Sequence, residues 1–89
     1  SYVPKIRSYT PDFYIAEKDF YIEAKGRLTT NDRVKHLMIK SQREDLDIRF
    51  IFMQASNKIL KGSKTSYADW CDRHGFLWAE GTLPMEWMK

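Results

Sequence analysis

The chain has 89 residues, 43% apolar and 15% aromatic, which limits it to one small domain with a modest core. A formal net charge of +3 favours nucleic acid over an acidic substrate as its partner. One cysteine excludes an intrachain disulfide and is typical of a reducing cytoplasm, and the sequence has neither a signal peptide nor an apolar run long enough for a membrane helix. We therefore expect a cytoplasmic domain with no membrane association.

Strands are predicted in the first part of the chain. Residues 2–8 favour a first strand, which Pro4 weakens. Residues 9–15 and 20–25 are rich in aromatic and β-branched side chains and predict two more strands, with the polar run 16–19 as the loop between them. These two strands should therefore pair as an antiparallel hairpin.

A capped helix is predicted after the hairpin. Thr29 is a good N-cap residue, and Asp32 three residues later completes an approximate capping box. We expect this helix to end near residues 43–44. Its buried stripe is predicted to be Val34, Leu37, Met38 and Ser41.

The remaining elements complete a mixed α/β pattern. The apolar run 47–53 predicts a central strand buried on both faces, and a strand, a helix and a returning strand predict a crossover unit. A second helix is predicted over residues 66–74, with Gly75 as its C-cap, and a short last strand over residues 76–80. We therefore predict an α/β (α+β) fold, with a mixed central sheet of about four to five strands flanked by helices.

Asp12, Glu23 and Lys25 carry the most specific chemical signal in the sequence. If the hairpin turn centres between residues 17 and 18, Asp12 lies directly opposite Glu23, and Lys25 lies one step further along the same face. Ala24 then points to the other face, where a small residue can pack on the core. Two adjacent carboxylates repel each other unless a cation neutralises them. Mg²⁺ or Mn²⁺ accepts oxygen ligands of this kind, and the Ala24 carbonyl is a candidate for a further ligand. We predict metal-dependent phosphodiester hydrolysis, in which Lys25 holds the attacking water or balances charge on the phosphate.

Several signals also have a purely structural interpretation. The charged hairpin residues are common on exposed hairpins without any function. Cys71 and His74 have a ligand-like spacing, but without a second Cys/His pair they favour a half-buried helix face over a zinc site or a nucleophile. Residues 62–65 resemble a phosphate loop but favour a turn, because the leading glycine and the Gly-Lys order are missing. The basic side chains predicted to contact DNA phosphates, as opposed to forming a solvated surface, are Arg33, Lys35, His36, Lys40, Lys58, Lys61 and Lys64.

The sequence also matches a known family in order along nearly its whole length. The matching residues include Pro11-Asp12 and the run Glu23-Ala24-Lys25. The matching stretches are 9–13, 22–26, 32–37, 46–49, 60–63, 65–67, 73–75 and 84–87, together with Cys71. On these residues the chain resembles the endonuclease I family of short-tailed phages, which are Holliday-junction resolvases of the PD-(D/E)xK nuclease superfamily.

This resemblance implies a restriction-endonuclease-like core and magnesium- or manganese-dependent cleavage of branched DNA. Asp12 and Glu23 look like the metal ligands of the family, and Lys25 looks like its catalytic lysine. The family also uses a glutamate on an N-terminal helix, a region we expect to be missing from residues 1–89. The resemblance therefore predicts a single nuclease domain that acts as a homodimer or with a complementing N-terminal chain, in the host bacterial cytoplasm if the protein is phage-encoded.

Two alternatives remain at this point. A relative of this family that acts as a site-specific, nicking or homing-type endonuclease on duplex DNA would have a similar sequence. A DNA-binding fragment that needs a missing segment for catalysis would also keep the basic residues.

Overall fold

A computed structural model describes residues 11–88, whose elements follow the order predicted from the sequence. The strand predicted over residues 2–8 lies outside the described residues. A short 3-10 helix, Met85–Met88, ends the described range. The strands and helices are β1 (Phe13–Ile15), β2 (Phe20–Lys25), α1 (Thr30–Gln42), β3 (Ile48–Phe52), α2 (Tyr67–His74) and β4 (Leu77–Glu80).

The strands of residues 11–88 form one mixed sheet in the order β1-β2-β3-β4. The pair β1 and β2 is an antiparallel hairpin, whereas β2, β3 and β4 run parallel to one another. Parallel neighbours need a crossover connection, and α1 and α2 provide these connections. The predicted mixed α/β fold is therefore confirmed, as are the crossover unit and the central position of β3.

Both helices pack on the same face of β3. The imidazole of His36 in α1 meets the Phe50 ring at 4.9 Å, and the Trp70 ring of α2 meets it at 6.1 Å. Phe50 is fully buried, so it forms the centre of the core. The opposite face of β3 is only half-buried, in contrast to the predicted burial of both faces, because Arg49 lies there over the ring of Phe20 at 4.1 Å.

Capping boxes begin both helices. Thr29 accepts a hydrogen bond from the backbone N–H of Asp32, and the Asp32 carboxylate accepts one from the backbone N–H of Thr29. Ser66 and Asp69 make the same reciprocal pair at α2. Helix α2 ends at Gly75, whose φ of 77° is the left-handed conformation that glycine adopts without strain. The predicted helix starts and the predicted C-cap are thus confirmed.

The buried face of α1 differs from the predicted one. Val34 is 53% exposed, whereas Arg33, His36 and Ile39 face the interior. Burial of Arg33 is possible because its guanidinium donates hydrogen bonds to the Leu28 carbonyl at 2.9 Å and to Thr30 Oγ1 at 2.9 Å. Of the predicted stripe, Leu37 packs against the core as expected, whereas Val34 and Ser41 are exposed and the buried positions are Arg33, His36 and Ile39.

Candidate active site

The β1–β2 hairpin carries Asp12 to the strand that bears Glu23. The described pairs have the predicted register, with Phe13 opposite Ile22. Continued by one residue beyond the paired strands, this register would set Asp12 opposite Glu23. Asp12 Oδ2 accepts a hydrogen bond from the backbone N–H of Ala24 at 2.9 Å. One carboxylate oxygen of Asp12 is thus held against β2, immediately beside Glu23.

Glu23 lies beneath α1 and is only 3% exposed. Its register partner on β3 is Phe50, which places Glu23 on the face that both helices cover. The His36 Nε2 atom lies 3.6 Å from Glu23 Oε1. Ala24 points to the opposite face as predicted, but it is exposed and does not pack on the core. The predicted core contact of Ala24 is wrong because burial of this face of β2 ends at Phe20 and Ile22, before the strand end where Ala24 lines a cleft.

His36 is a neutral side chain near pH 7. Burial is the main reason that its pKa falls from 6.5 to about 4, and the positive charges of Lys25 and Lys35 lower it further. Its contact with Glu23 is therefore one between an uncharged imidazole and a carboxyl group, and it does not count as a salt bridge.

Lys25 ends β2 next to the start of α1. Its Nζ atom lies 3.3 Å from Asp32 Oδ1, and the two side chains are only 19% and 24% exposed. The sequence predicts Asp32 as a capping residue alone, and nothing in its spacing from Lys25 indicates this ion pair. Only the closeness of the strand end to the helix start, which follows from a four-residue connection, could have suggested it.

The donor set at this point of the hairpin suits a hard divalent cation. Asp12 and Glu23 provide carboxylate oxygens, and the N–H and C=O of a strand residue point to the same side, so the Ala24 carbonyl faces Asp12. Mg²⁺ is commonly bound through one or two carboxylates and keeps several waters. Among residues 11–88 no group of three or more His, Cys, Asp and Glu side chains is placed to hold a metal ion.

A cleft of about 250 Å³ lies beside Lys25, at the carboxyl ends of β2 and β3. Ligands of parallel α/β sheets commonly bind at this edge. Its wall is partly apolar and includes the exposed Met53. The residues that line it are Ala24, Lys25, Gly26, Ile51, Phe52, Met53 and Gly81.

The predicted DNA-contact residues divide into two groups. Arg33 and His36 are 8% and 0% exposed, so the prediction that they contact phosphates is wrong: one is hydrogen-bonded to backbone and the other is packed on Phe50. The exposed members are Lys35, Lys40, Lys58, Lys61 and Lys64. Only these five can reach a phosphate backbone from where they lie.

The lysine-rich loop between β3 and α2 is attached to the start of α1. Arg33 donates a hydrogen bond to the Ile59 carbonyl at 3.3 Å, and the Ile59 N–H donates one to the Thr65 carbonyl at 2.9 Å. Lys40 lies elsewhere: its ammonium is 4.7 Å from the centre of the Phe76 ring, and it lines a separate depression of about 450 Å³ near the end of α1. The loop lysines and Lys40 therefore belong to two separate surfaces.

The fold and the site together define a restriction-endonuclease-like core with an aspartate beside a strand-borne Glu-x-Lys. A family model described as phage endonuclease I matches residues 2–89. The chain belongs to the phage endonuclease I family, which confirms the resemblance seen in the sequence.

Two relatives show how much of the family the chain represents. Endonuclease I of Escherichia phage T7 is 43% identical over 82 residues, which are 92% of this chain and 54% of the relative. Endodeoxyribonuclease 1 of Enterobacteria phage T3 is 44% identical over 81 residues, which are 91% of this chain and 53% of the relative. The chain thus spans about half the length of the relatives it matches.

Proposed function

We propose that the chain is the nuclease domain of a divalent-metal-dependent DNA endonuclease that hydrolyses phosphodiester bonds in branched DNA. Membership of the phage endonuclease I family supports DNA hydrolysis, and the resemblance of the sequence to junction resolvases supports a branched substrate. The observation that carries the proposal is the hydrogen bond from the Ala24 N–H to Asp12, which seats one carboxylate beside Glu23 and near Lys25.

Asp12, Glu23 and the Ala24 carbonyl would hold Mg²⁺ or Mn²⁺. Such an ion, when bound, would neutralise charge on the phosphate and make a water molecule more acidic. The hydrogen bond from the Ala24 backbone leaves Oδ1 of Asp12 as its available ligand atom. The buried position of Glu23 keeps its carboxylate in one orientation, because a side chain packed under a helix has little rotational freedom.

Lys25 would act on the phosphate or on the attacking water. Its ammonium ends the strand beside the cleft, where it can donate hydrogen bonds to a phosphate oxygen or orient the water for attack on phosphorus. The exposed lysines of the loop would hold the DNA backbone through phosphate contacts, which set position without reading sequence.

A cleavage assay with matched variants tests this function. Labelled four-way junction and duplex of the same sequence are incubated with the full chain in Mg²⁺, Mn²⁺ or EDTA, and the products are resolved on a denaturing gel. We expect metal-dependent cleavage of the junction that falls by about a hundredfold or more in Asp12→Asn and Lys25→Ala. The controls Asp45→Asn and Lys18→Ala make the same chemical changes at exposed positions and should cleave like wild type.

The outcomes separate the parts of the proposal. Undiminished cleavage by Asp12→Asn or Lys25→Ala would reject the assigned residues. Equal cleavage of duplex and junction would reject the branched substrate and favour a site-specific or nicking enzyme. Binding of DNA without cleavage in any metal would favour the non-catalytic DNA-binding fragment.

We infer further that the active form is a homodimer or includes a complementing N-terminal chain, as the family resemblance implies. Titration calorimetry with Mn²⁺ on wild type, Asp12→Asn and Glu23→Gln measures whether this chain's residues hold the ion. Light scattering of the purified chain, with and without junction, measures its stoichiometry. Metal binding that is unchanged in both variants would reject the assigned ligands, and a monomer on the junction would reject the homodimer and leave the complementing N-terminal chain.

A further inference from the structure

The geometry points to a role for Asp32 beyond capping: we propose that its carboxylate is the positioning residue that holds the Lys25 ammonium at the end of the metal-binding strand. This inference rests on the proposed function, because it gives Lys25 its role in the reaction. It adds a residue on α1 to a site otherwise built from the β1–β2 hairpin.

The two oxygens of Asp32 have different partners. Oδ1 lies 3.3 Å from Lys25 Nζ, within hydrogen-bond distance. Oδ2 accepts hydrogen bonds from the Thr29 backbone N–H at 3.1 Å and from Thr29 Oγ1 at 2.9 Å. The N-cap therefore fixes the orientation of the carboxylate, and the carboxylate in turn fixes the lysine.

The charge of Asp32 suits this task. Burial by itself would raise the pKa of its carboxyl group, but the hydrogen bonds from Thr29 and the nearby Lys25 ammonium outweigh it, and the pKa lies below its usual value. The group is thus ionised at neutral pH. With both side chains about one-fifth exposed, the pair is shielded from solvent more than a surface ion pair is.

A lysine needs such a partner more than most catalytic groups do. Its four-carbon stem is flexible and carries a compact charge, so the ammonium has many accessible positions unless a neighbour selects one. The start of α1 is a firm support for that neighbour, since Arg33 joins it to the Leu28 carbonyl at 2.9 Å and to the Ile59 carbonyl at 3.3 Å. A misplacement of about 1 Å at a reacting group can cost about a hundredfold in rate.

The second helix provides a matched control within the same chain. Asp69 caps α2 through hydrogen bonds to Ser66 with the same atoms and nearly the same distances, but it lies outside the candidate site. Replacement of either aspartate by asparagine keeps an oxygen acceptor for the cap and removes the charge. Both substitutions therefore remove the charge of a capping carboxylate, and only Asp32→Asn changes the partner of Lys25.

The test compares steady-state junction cleavage by the full chain carrying Asp32→Asn, Asp69→Asn or Asp32→Glu. We expect Asp32→Asn to lower kcat by about tenfold to a hundredfold with KM nearly unchanged, as for an interaction that acts in the transition state. Asp69→Asn should lose similar thermal stability and keep its kcat. Asp32→Glu retains both charge and cap and should recover most of the lost rate.

Two further measurements make the result decisive. Calorimetry should give the same Mn²⁺ affinity for Asp32→Asn and wild type, because Asp32 holds the lysine and not the ion. The double variant Lys25→Ala with Asp32→Asn should cleave no more slowly than Lys25→Ala alone.

Failure of this inference differs from failure of the proposed function. If Asp32→Asn cleaves like wild type, or loses no more activity than Asp69→Asn, while Lys25→Ala is inactive, the positioning role is wrong and the proposed function survives. If Lys25→Ala itself cleaves like wild type, the role of Lys25 is wrong and that of Asp32 falls with it. A weakened Mn²⁺ affinity in Asp32→Asn would also overturn the positioning role, because it would place Asp32 at the ion.

Discussion

Buried side chains with titratable groups show how strongly one residue's surroundings change its chemistry. The imidazole of His36 is fully buried against Phe50 and has a pKa lowered to about 4, so it behaves as an aromatic core residue. The Cys71 thiol is also fully buried, and burial raises its pKa to about 12, which keeps it protonated and unreactive. His36 is therefore not the cation that its place among basic residues suggests. Cys71 is not the thiolate that its ligand-like spacing from His74 suggests.

The neutral state of His36 predicts acid sensitivity of the fold. Because folding lowers the pKa of His36, the unfolded chain binds a proton first as the pH falls, and stability is lost between about pH 6.5 and 4. The expected slope is about 1.4 kcal/mol per pH unit, or roughly 3 kcal/mol over the window. Urea unfolding in EDTA from pH 7 to 4 measures it.

A matched pair of variants assigns that slope to the imidazole. His36→Gln removes the titrating group and should flatten the slope across this window. Ile39→Val leaves His36 in place and should lower stability at every pH while keeping the wild-type slope. An equal slope in wild type and His36→Gln would show that the buried imidazole is not its source.

At the scale of the elements, local sequence signals specify where a helix begins, whereas packing specifies which of its faces is buried. The starts of α1 and α2 follow from short-range capping boxes, and both were predicted correctly from sequence spacing. The buried face of α1 was not predicted correctly, because it depends on which side chains find packing or hydrogen-bond partners in the sheet and loops. Arg33 can be buried only where the Leu28 and Ile59 carbonyls accept its hydrogen bonds, and such long-range partners leave no periodic trace.

The corrected face of α1 makes a direct prediction for stability. Ile39→Ala should lower the free energy of unfolding by about 2–5 kcal/mol, because its side chain is fully buried in the core. Val34→Ala, five residues earlier at an exposed position, should change it by less than about 0.5 kcal/mol. Equilibrium urea unfolding of the two variants measures both values, and a larger loss for Val34→Ala would restore the stripe of apolar residues as the inner face.

At the scale of the whole molecule, the candidate catalytic residues lie at one end of the sheet. The end of β2 lies beside the start of α1, where Lys25 contacts Asp32, and Arg33 attaches the lysine-rich loop to the same helix start. No helix among residues 11–88 is long and apolar enough to cross a bilayer. The partner we propose for the exposed loop lysines is the DNA backbone, whose phosphates attract basic side chains.

The exposed loop lysines should therefore dominate the salt dependence of junction binding. Replacement of Lys58, Lys61 and Lys64 by alanine should weaken binding and reduce the slope of log K against log salt by up to about 0.9 per lost phosphate contact. Fluorescence anisotropy in Ca²⁺ between 50 and 200 mM salt, roughly the range in which such contacts are lost, measures the slope.

The control for this prediction is Lys18→Ala in the loop of the hairpin. It removes an exposed positive charge that lies outside the β3–α2 loop, and its slope should equal that of wild type. A triple variant with the wild-type slope would place the DNA elsewhere on the surface.

Interactions between residues close in the sequence determine the parts of the fold that could be predicted from the sequence. Alternating aromatic residues, a short polar loop and two capping boxes act between near neighbours, so the register of the hairpin, with Phe13 opposite Ile22, could be predicted from spacing. The burial of Glu23, the exposure of Ala24, the inward turn of Arg33 and His36 and the contact of Asp32 with Lys25 could not. Each of these depends on the face of β2 over which α1 returns, and that choice is made by the packing of the assembled core around Phe50.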